Sequence, residues 1–535
     1  MSLFKSIATF GSFTFLSRIT GFLRDMVLAK YLGAGLISDA FFVSFKLPNL
    51  FRSLFAEGAF ASAFVPIVSQ KLCDGKEEAR KFSSAAISVL AFFITIFVIV
   101  IEIIMPAIVT ILAPGFASNP EQLALATTLS RITFPFLLFI SVVSFQSGIL
   151  SSLGKFAAPA SAPIILNLLM VASVFIFVPF APSTAHGIAF GITFAGFIEV
   201  LWLRYFLRKE KMFINIQFNM PKLLKDKDIK TLFKRMAPGI LGSGIYQINV
   251  MVSTIIASLV APGAISWLYY ADRIQQLPIG VVGAAISVAL LPILSTHIKN
   301  NDDAQTRHAQ SKAFEYGAML AIPAMIAIII LALPITNILF QHGRFGAFET
   351  EMTYKAIIAY IIGLPFYVCV KAMAPNLFAR GDTKTPVKYG LVSFIVNIAA
   401  SMALAFPFGH IGIAAGSAVS SIVSFFLYYF GLKKRGFWNI EHSLVKQIIK
   451  ITFCAIIMGI VLKTSDYGLR LYFGNWLDFH FFIKLSLFLG LCLFGLATFG
   501  LLAKITGVIN IADIKKALSK NAKAKKDKKV SAKSA

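Results

Sequence analysis

The stretch LSRITGFLRDMVLAKYLG, residues 16–33, is apolar enough to enter a bilayer, yet it holds Arg18, Arg24, Asp25 and Lys30. The next run, SDAFFVSFKLPNLFRSLFAEGAF (38–60), repeats the combination with Asp39, Lys46, Asn49, Arg52 and Glu57. An ionisable side chain in a membrane helix costs about 2.5–3.5 kcal/mol on insertion scales, so it usually faces a cavity, a partner or a pathway. These two segments predict membrane helices arranged around a polar interior.

The rest of the chain agrees. Of its 535 residues 57% are hydrophobic and 14% charged, with a mean hydropathy of +0.79. Soluble proteins carry about 25% charged residues, and apolar runs of about 20 residues match the bilayer core. The fold class is an all-α polytopic membrane protein; a membrane β-barrel would show short alternating segments instead. The N-terminus does not read as a cleavable signal, because its arginines lie inside the apolar run. Cys73, Cys369, Cys454 and Cys492 have neither metal nor redox spacing. No phosphate-binding loop, zinc-hydrolase motif or nucleophile elbow occurs, which argues against an enzyme.

Fourteen spans are expected, near 5–31, 36–70, 83–113, 123–153, 159–180, 185–207, 231–260, 264–297, 313–340, 350–379, 386–407, 411–432, 444–463 and 479–504. Loop charge supports that number, since Lys and Arg collect on the cytoplasmic side. KLCDGKEEARK (71–81), the connection from Arg204 to Arg235, residues 298–312, ARGDTKTPVK (379–388) and KKR (433–435) are basic. The alternate loops APGFASNPEQ, APSTAH, APG and PFGH carry no Lys or Arg; Arg344, Lys463 and Arg470 are exceptions. The alternation places both termini in the cytoplasm. The net charge of +26 includes nine lysines after residue 507, a tail suited to anionic lipid rather than to nucleic acid.

An internal repeat runs through the chain. FPFLLFIS (134–141) matches LPFYVCVK (364–371), and Asn167 matches Asn397, both at an offset of 230 residues. VPIVSQ (65–70) matches LPILST (291–296), and AGLIS (34–38) matches PGAIS (262–266), at offsets of 226 and 228. A near-constant offset over six spans implies two parallel six-helix copies, with substrate bound between the halves. The expected organisation is an N-lobe (1–207), a basic cytoplasmic linker (208–230), a C-lobe (231–433), an appended pair of spans (434–506) and a basic tail (507–535).

Span 8 adds Ser266, Asp272 and Arg273 in SWLYYADRIQQLP (266–278). Arg18 and Asp25 are seven residues apart, as are Asp39 and Lys46, so part of the cluster is expected to form salt bridges along one helix face. Arg18, Arg24, Arg52 and Arg273 still outnumber the acids left over once Lys30 or Lys46 takes a share. Arginine in a membrane cavity suits a multivalent anion, because the guanidinium fork matches phosphate oxygens. Pro48 in span 2, and Pro278 followed by Gly280 and Gly283 in span 8, predict bends.

SRITGFLRD (17–25), SDAFFVSFKLPNLFRSLFAEGAFASAFVPI (38–67), SWLYYADRIQQLP and GDTKTPVK (381–388) resemble the MurJ (MviN) family of lipid II flippases. The resemblance covers roughly residues 1–506. It implies two six-helix lobes forming a V, plus two helices that extend a groove for the lipid tail. It implies as substrate lipid II, the undecaprenyl-pyrophosphate-linked disaccharide-pentapeptide, moved across a bacterial inner membrane for peptidoglycan synthesis. By motif match, the substrate-binding positions are Arg18, Arg24, Arg52 and Arg273, with Asp39 the acidic one. Ser17, Asp25, Asn49, Glu57, Ser266 and Asp272 match the cavity region.

No cofactor is expected. Drive comes from membrane potential or from a coupling monovalent cation, for which no residue is assigned. Membrane lipids and cell-wall synthesis proteins complete the expected partners. A flippase for another polyprenyl-linked glycan would use the same arginines. An ion-coupled exporter of cationic drugs would want an acidic cavity, and a membrane scaffold would tolerate loss of the charges.

Overall fold

The structure, a computed structural model, describes residues 3–55 and 58–508, and only the backbone for 3–10, 53–55, 58–62, 237–246, 281, 284 and 285. Glu57 and residues 509–535 of the tail lie outside the described residues. Among the described residues there is no strand. The helices of the first part are α1 (Leu3–Leu32), α2 (Leu36–Phe55), α3 (Gly58–Asp74), α4 (Lys76–Ile103), α5 (Met105–Leu112), α6 (Pro120–Thr133), α7 (Phe136–Ser152), α8 (Ala157–Ile176) and α9 (Thr184–Lys209). There follow α10 (Met220–Lys225), α11 (Lys227–Val260), α12 (Ala264–Pro278), α13 (Ala284–Lys299), α14 (Asp303–Phe340) and α15 (Ala347–Ile361). The last are α16 (Leu364–Ala379), α17 (Lys384–Phe408), α18 (His410–Lys434), α19 (His442–Phe473) and α20 (Phe481–Ile505).

Each of the fourteen expected spans coincides with a helix or with two consecutive helices. By length and apolarity, nine helices among the described residues are fit to cross a membrane, or ten if the pair α15–α16, bent by 40°, is one span. The number fourteen is therefore not reached on that criterion. The remainder are α1 and α2, which carry the embedded charges, and α11 and α12–α13, in which shorter apolar helices occur.

The chain forms two compact units. The first comprises residues up to Arg273, with Leu339–Ala356 and Gly390–Ser420; the second comprises Ile274–Ile338, Ile357–Tyr389 and the chain from Ser421 onward. In the first unit, aromatic side chains fill the interior: Phe41, Phe42, Phe64, Phe134, Phe136 and Tyr270 are fully buried. In the second, Trp476 and Leu477 pack with Ile451, Met458 and Leu491, so α19 and α20 share a core with the α14 residues Leu331 and Ile338. The outward faces remain apolar, as with Phe175, Ile103 and Leu493. Such large exposed apolar area is what lipid contact requires.

The structure adds a sign of the repeat that the sequence matches above did not include. GIAFG (187–191) on α9 and GIAAG (412–416) on α18 stand 225 residues apart. A Cβ on Gly187 would strike Val178, and one on Gly191 would strike Ser173. Likewise a Cβ on Gly412 would strike the Leu404 carbonyl, and one on Gly416 would strike Ser401. Both helical hairpins thus close on paired glycines, the small-residue contact that lets membrane helices approach.

The two expected bends differ. Pro278 ends α12, and a π-helical turn over Ile279–Gly283 leads into α13. Pro48 does not interrupt its helix, for α2 continues to Phe55. Proline has no N–H to give the carbonyl four residues back. That carbonyl, of Ser44, accepts instead from the Thr133 hydroxyl of α6 at 2.9 Å. A neighbouring helix repairs the defect, so the helix persists.

Candidate functional site

The first unit brings α1, α2, α8 and α12 together around one carboxylate. Asp25 is 2% exposed and sits between two guanidinium groups. Arg24, its chain neighbour, donates to Asp25 Oδ1 from Nε at 3.0 Å and from Nη2 at 2.7 Å. The other amino group, Nη1, donates to Asn167 Oδ1 on α8 at 2.9 Å. Asn167 in turn donates to the Ser17 carbonyl and to Thr20 Oγ1, at 3.2 and 3.3 Å. Arg24 is buried, lies over the Phe45 ring, and is held on three sides. It braces α1 against α8.

Arg273 stands differently. Its Nε lies 3.4 Å from Asp25 Oδ2, its Nη2 donates to Tyr269 OH at 3.1 Å, and the guanidinium covers the Tyr269 ring at 4.7 Å. Tyr269 OH also donates to Asp25 Oδ1 at 3.0 Å, and its ring stacks on Phe42. The Arg273 side chain is 30% exposed, against 8% for Arg24. Its Nε is buried without a hydrogen-bond partner. Two cations share Asp25, Asp272 also acts on Arg273, and the more exposed guanidinium is that of Arg273.

Asp39 engages the start of α12. Its Oδ2 accepts from the Gly263 N–H at 2.6 Å, and Oδ1 accepts from the Ser266 N–H at 2.9 Å and from the Ser266 hydroxyl. Ser266 Oγ also lies 2.9 Å from Ser38 Oγ. The carboxylate of α2 thus caps the start of α12, where N–H groups lack helical partners and the dipole favours negative charge. Lys46, expected on the Asp39 face, donates instead to Thr254 Oγ1 of α11 at 3.1 Å.

The other expected residues fall into three groups. Asn49 donates its side-chain amide to the Phe45 carbonyl at 2.8 Å, and Ser17 takes part through its backbone carbonyl. Arg52 on α2 is half-buried and interacts electrostatically with Glu199 of α9, itself 1% exposed; Asp272 is half-buried and acts on both Lys46 and Arg273. Arg18 is exposed and has no ion-pair partner among the described residues, so Asp25 pairs with Arg24 and Arg273 rather than with the residue seven positions back. The sequence pattern does not single out Tyr269 or Glu199, and it marks Asn167 only through the repeat. An asparagine or glutamate inside an apolar helix was the available signal for two of them.

Arginines of this kind suit an anion with several oxygens, and comparisons with known proteins show the family. The sequence model of the family described as lipid II flippase MurJ matches residues 28–487. The probable lipid II flippase MurJ of Rickettsia prowazekii (strain Madrid E) is 35% identical over 511 residues, covering 95% of this chain and 99% of that protein. The lipid II flippase MurJ of Burkholderia cenocepacia is 32% identical, covering 86% and 89%. A solved structure of the lipid II flippase MurJ in an inward closed conformation superposes with a TM-score of 0.76 at 27% identity, covering 93% of this chain and 98% of that one. An inward-facing multidrug transporter of the MATE family, at a TM-score of 0.65 and 16% identity, shares the fold. The chain belongs to the MurJ family of lipid II flippases, multi-pass bacterial membrane proteins.

Proposed function

We propose that this chain moves lipid II from the cytoplasmic to the periplasmic face of the bacterial inner membrane by alternating access. The observation that carries the reading is Arg273: a partly exposed guanidinium whose Nε faces Asp25, held over Tyr269 beside a braced pair. A pyrophosphate would accept from the terminal amino groups of Arg273, while its Nε stays beside Asp25 and the Arg24–Asp25 pair keeps its shape. Contact with the Arg273 guanidinium would offset part of the desolvation of the anionic head, and the undecaprenyl chain would stay in lipid.

Rocking of the halves 1–207 and 231–433, with both termini cytoplasmic, would expose the site to each face in turn. Membrane potential would act on any net charge that the empty site carries back, at about 2.3 kcal/mol per charge per 100 mV; a coupling monovalent cation would serve the same end. Residues 434–506 would guide the lipid tail, and cell-wall synthesis enzymes would take the product.

The test is depletion of this protein in its own cells, with lipid II assayed on each membrane face. Lipid II is expected to accumulate on the inner face within a few generations. An unchanged distribution contradicts the proposal, and trapping of a different polyprenyl-linked glycan alone would reassign the substrate.

A further inference from the structure

A second basic site lies in the first unit, away from the Asp25 cluster. A cavity of about 360 Å³ opens between α4, α7, α9 and the segment 212–216 that follows α9. Arg80, Arg204 and Arg208 line it, with Gln146 and Asn215, and no Asp or Glu does. Arg80 holds an exposed i,i+3 pair with Glu77 at 2.7 Å. Arg204 and Arg208 are exposed and have no ion-pair partner among the described residues. Farther in, the wall is apolar, with Ile87 and Ala91 from α4, Val142 from α7 and Val200 from α9. At a rise of about 1.5 Å per residue, Arg80 to Ala91 spans about 16 Å, so the site grades from a cationic rim to a hydrocarbon depth.

Two observations say that the site is built for an occupant. Gln146 is 4% exposed, lines the cavity, and its Oε1 has no hydrogen-bond partner. A buried carbonyl without a donor costs about 1–3 kcal/mol, so a ligand that supplies an O–H or N–H there is favoured. The segment that walls the cavity is tied down: the Asn215 and Gln217 N–H groups donate to Ser84 Oγ and Ser88 Oγ of α4 at 3.2 and 2.8 Å. Phe213 of this segment lines the cavity and is exposed. Exposed aromatic rings beside arginines are the marks of a membrane–water interface.

We propose that this cavity binds the headgroup of an anionic glycerophospholipid that carries free hydroxyls, of the phosphatidylglycerol type. The phosphate rests on Arg204 and Arg208, a headgroup hydroxyl donates to Gln146 Oε1, and an acyl chain follows the apolar wall. A zwitterionic choline lipid brings a cation to the arginines and no hydroxyl to Gln146. Phosphatidic acid has the phosphate without the hydroxyls. Bound lipid would tie the segment 212–216 to α4, α7 and α9. The site does not involve the residues assigned to lipid II.

The test uses the full-length protein in detergent, with dioleoyl phosphatidylglycerol, phosphatidic acid and phosphatidylcholine as probes in native mass spectrometry, and glycerol 1-phosphate as competitor. Phosphatidylglycerol is expected to be retained over phosphatidylcholine. The double variant Arg204→Ala/Arg208→Ala should lose roughly tenfold or more in its affinity, the size of a lost charge-assisted contact, with the lipid-free melting temperature unchanged. Gln146→Leu should weaken phosphatidylglycerol and leave phosphatidic acid unaffected. Equal retention of phosphatidylcholine, or unchanged binding by the double variant, overturns the proposal. Full displacement by glycerol 1-phosphate at matched concentration would assign the site to a soluble phosphate and overturn the lipid reading. Phosphatidylglycerol binding untouched by Gln146→Leu would remove the hydroxyl contact and with it the headgroup preference.

Discussion

Arg273 Nε lies 3.4 Å from Asp25 Oδ2, joined across 248 positions of sequence, while the same carboxylate is already engaged by Arg24 through Oδ1 at 2.7 and 3.0 Å. One buried acid therefore serves two arginines with unequal grip. The inequality separates a bracing role from a binding role and makes the two experimentally distinct.

Replacing Arg24 by Ala is expected to destabilise the protein. It leaves Asp25 and Asn167 short of a partner in a buried setting, and breaking a buried pair costs about 3–5 kcal/mol. Arg273→Ala, at a partly open position, should change the melting temperature far less. Thermal unfolding of the two variants in the same detergent checks this, and an equal loss in both would show that Arg273 is a brace as well.

Asp39→Ala should uncap α12 and leave the Gly263 and Ser266 N–H groups buried without acceptors, a cost of about 1–3 kcal/mol for each unsatisfied group. Ser266→Ala removes one hydroxyl and keeps the backbone cap, so its loss should be about 1 kcal/mol. Abundance in the membrane and melting temperature are the readouts. A stable Asp39→Ala protein that no longer binds lipid II would restore Asp39 to the substrate site.

The elements legible in this sequence are those with a local physical signal. Apolar runs interrupted by Arg, Asp and Lys declare helices with a polar side, because burial of charge is too costly to be incidental. Offsets near 228 residues likewise exposed the repeat, and GIAFG with GIAAG extends it. Partner choice was not legible. Asp25 has Arg18 seven residues away on its own helix, yet it pairs with a chain neighbour and with a residue from α12. Helical spacing ranks only local partners, whereas packing of Phe42 on Tyr269 decides which distant side chains arrive. Pro48 shows the same limit, since its effect depended on Thr133, a residue 85 positions later.

The loop motif GDTKTPVK gives a pH-dependent prediction outside the spans. Asp382 accepts from the Thr385 hydroxyl at 2.6 Å, from Arg435 Nη1 at 2.6 Å and from the Thr385 N–H at 2.9 Å. These donors, the Thr385 hydroxyl foremost and the Arg435 contact next, hold its carboxyl below the usual carboxylate range. A depressed folded-state pKa means that the stabilisation is fully present above the unfolded value of about 3.9 and is lost as pH falls below it through the folded value. Asp382→Asn should therefore be less stable than the native protein at pH 7 and approach it in strong acid. Unfolding midpoints at pH 7, 4 and 3 test this; a constant gap between the two proteins across that range would show that the carboxylate charge contributes nothing.

Arg273 is the group proposed to receive the pyrophosphate. The most direct measurement is the distribution of lipid II between the two membrane faces in cells whose native copy is replaced by Arg273→Ala or Arg273→Lys, at matched membrane abundance. The Ala variant should trap lipid II on the inner face, and Lys should restore part of the transport, because it keeps the charge and loses the bidentate fork. Normal distribution of lipid II in cells living on a stable Arg273→Ala protein would contradict the claim.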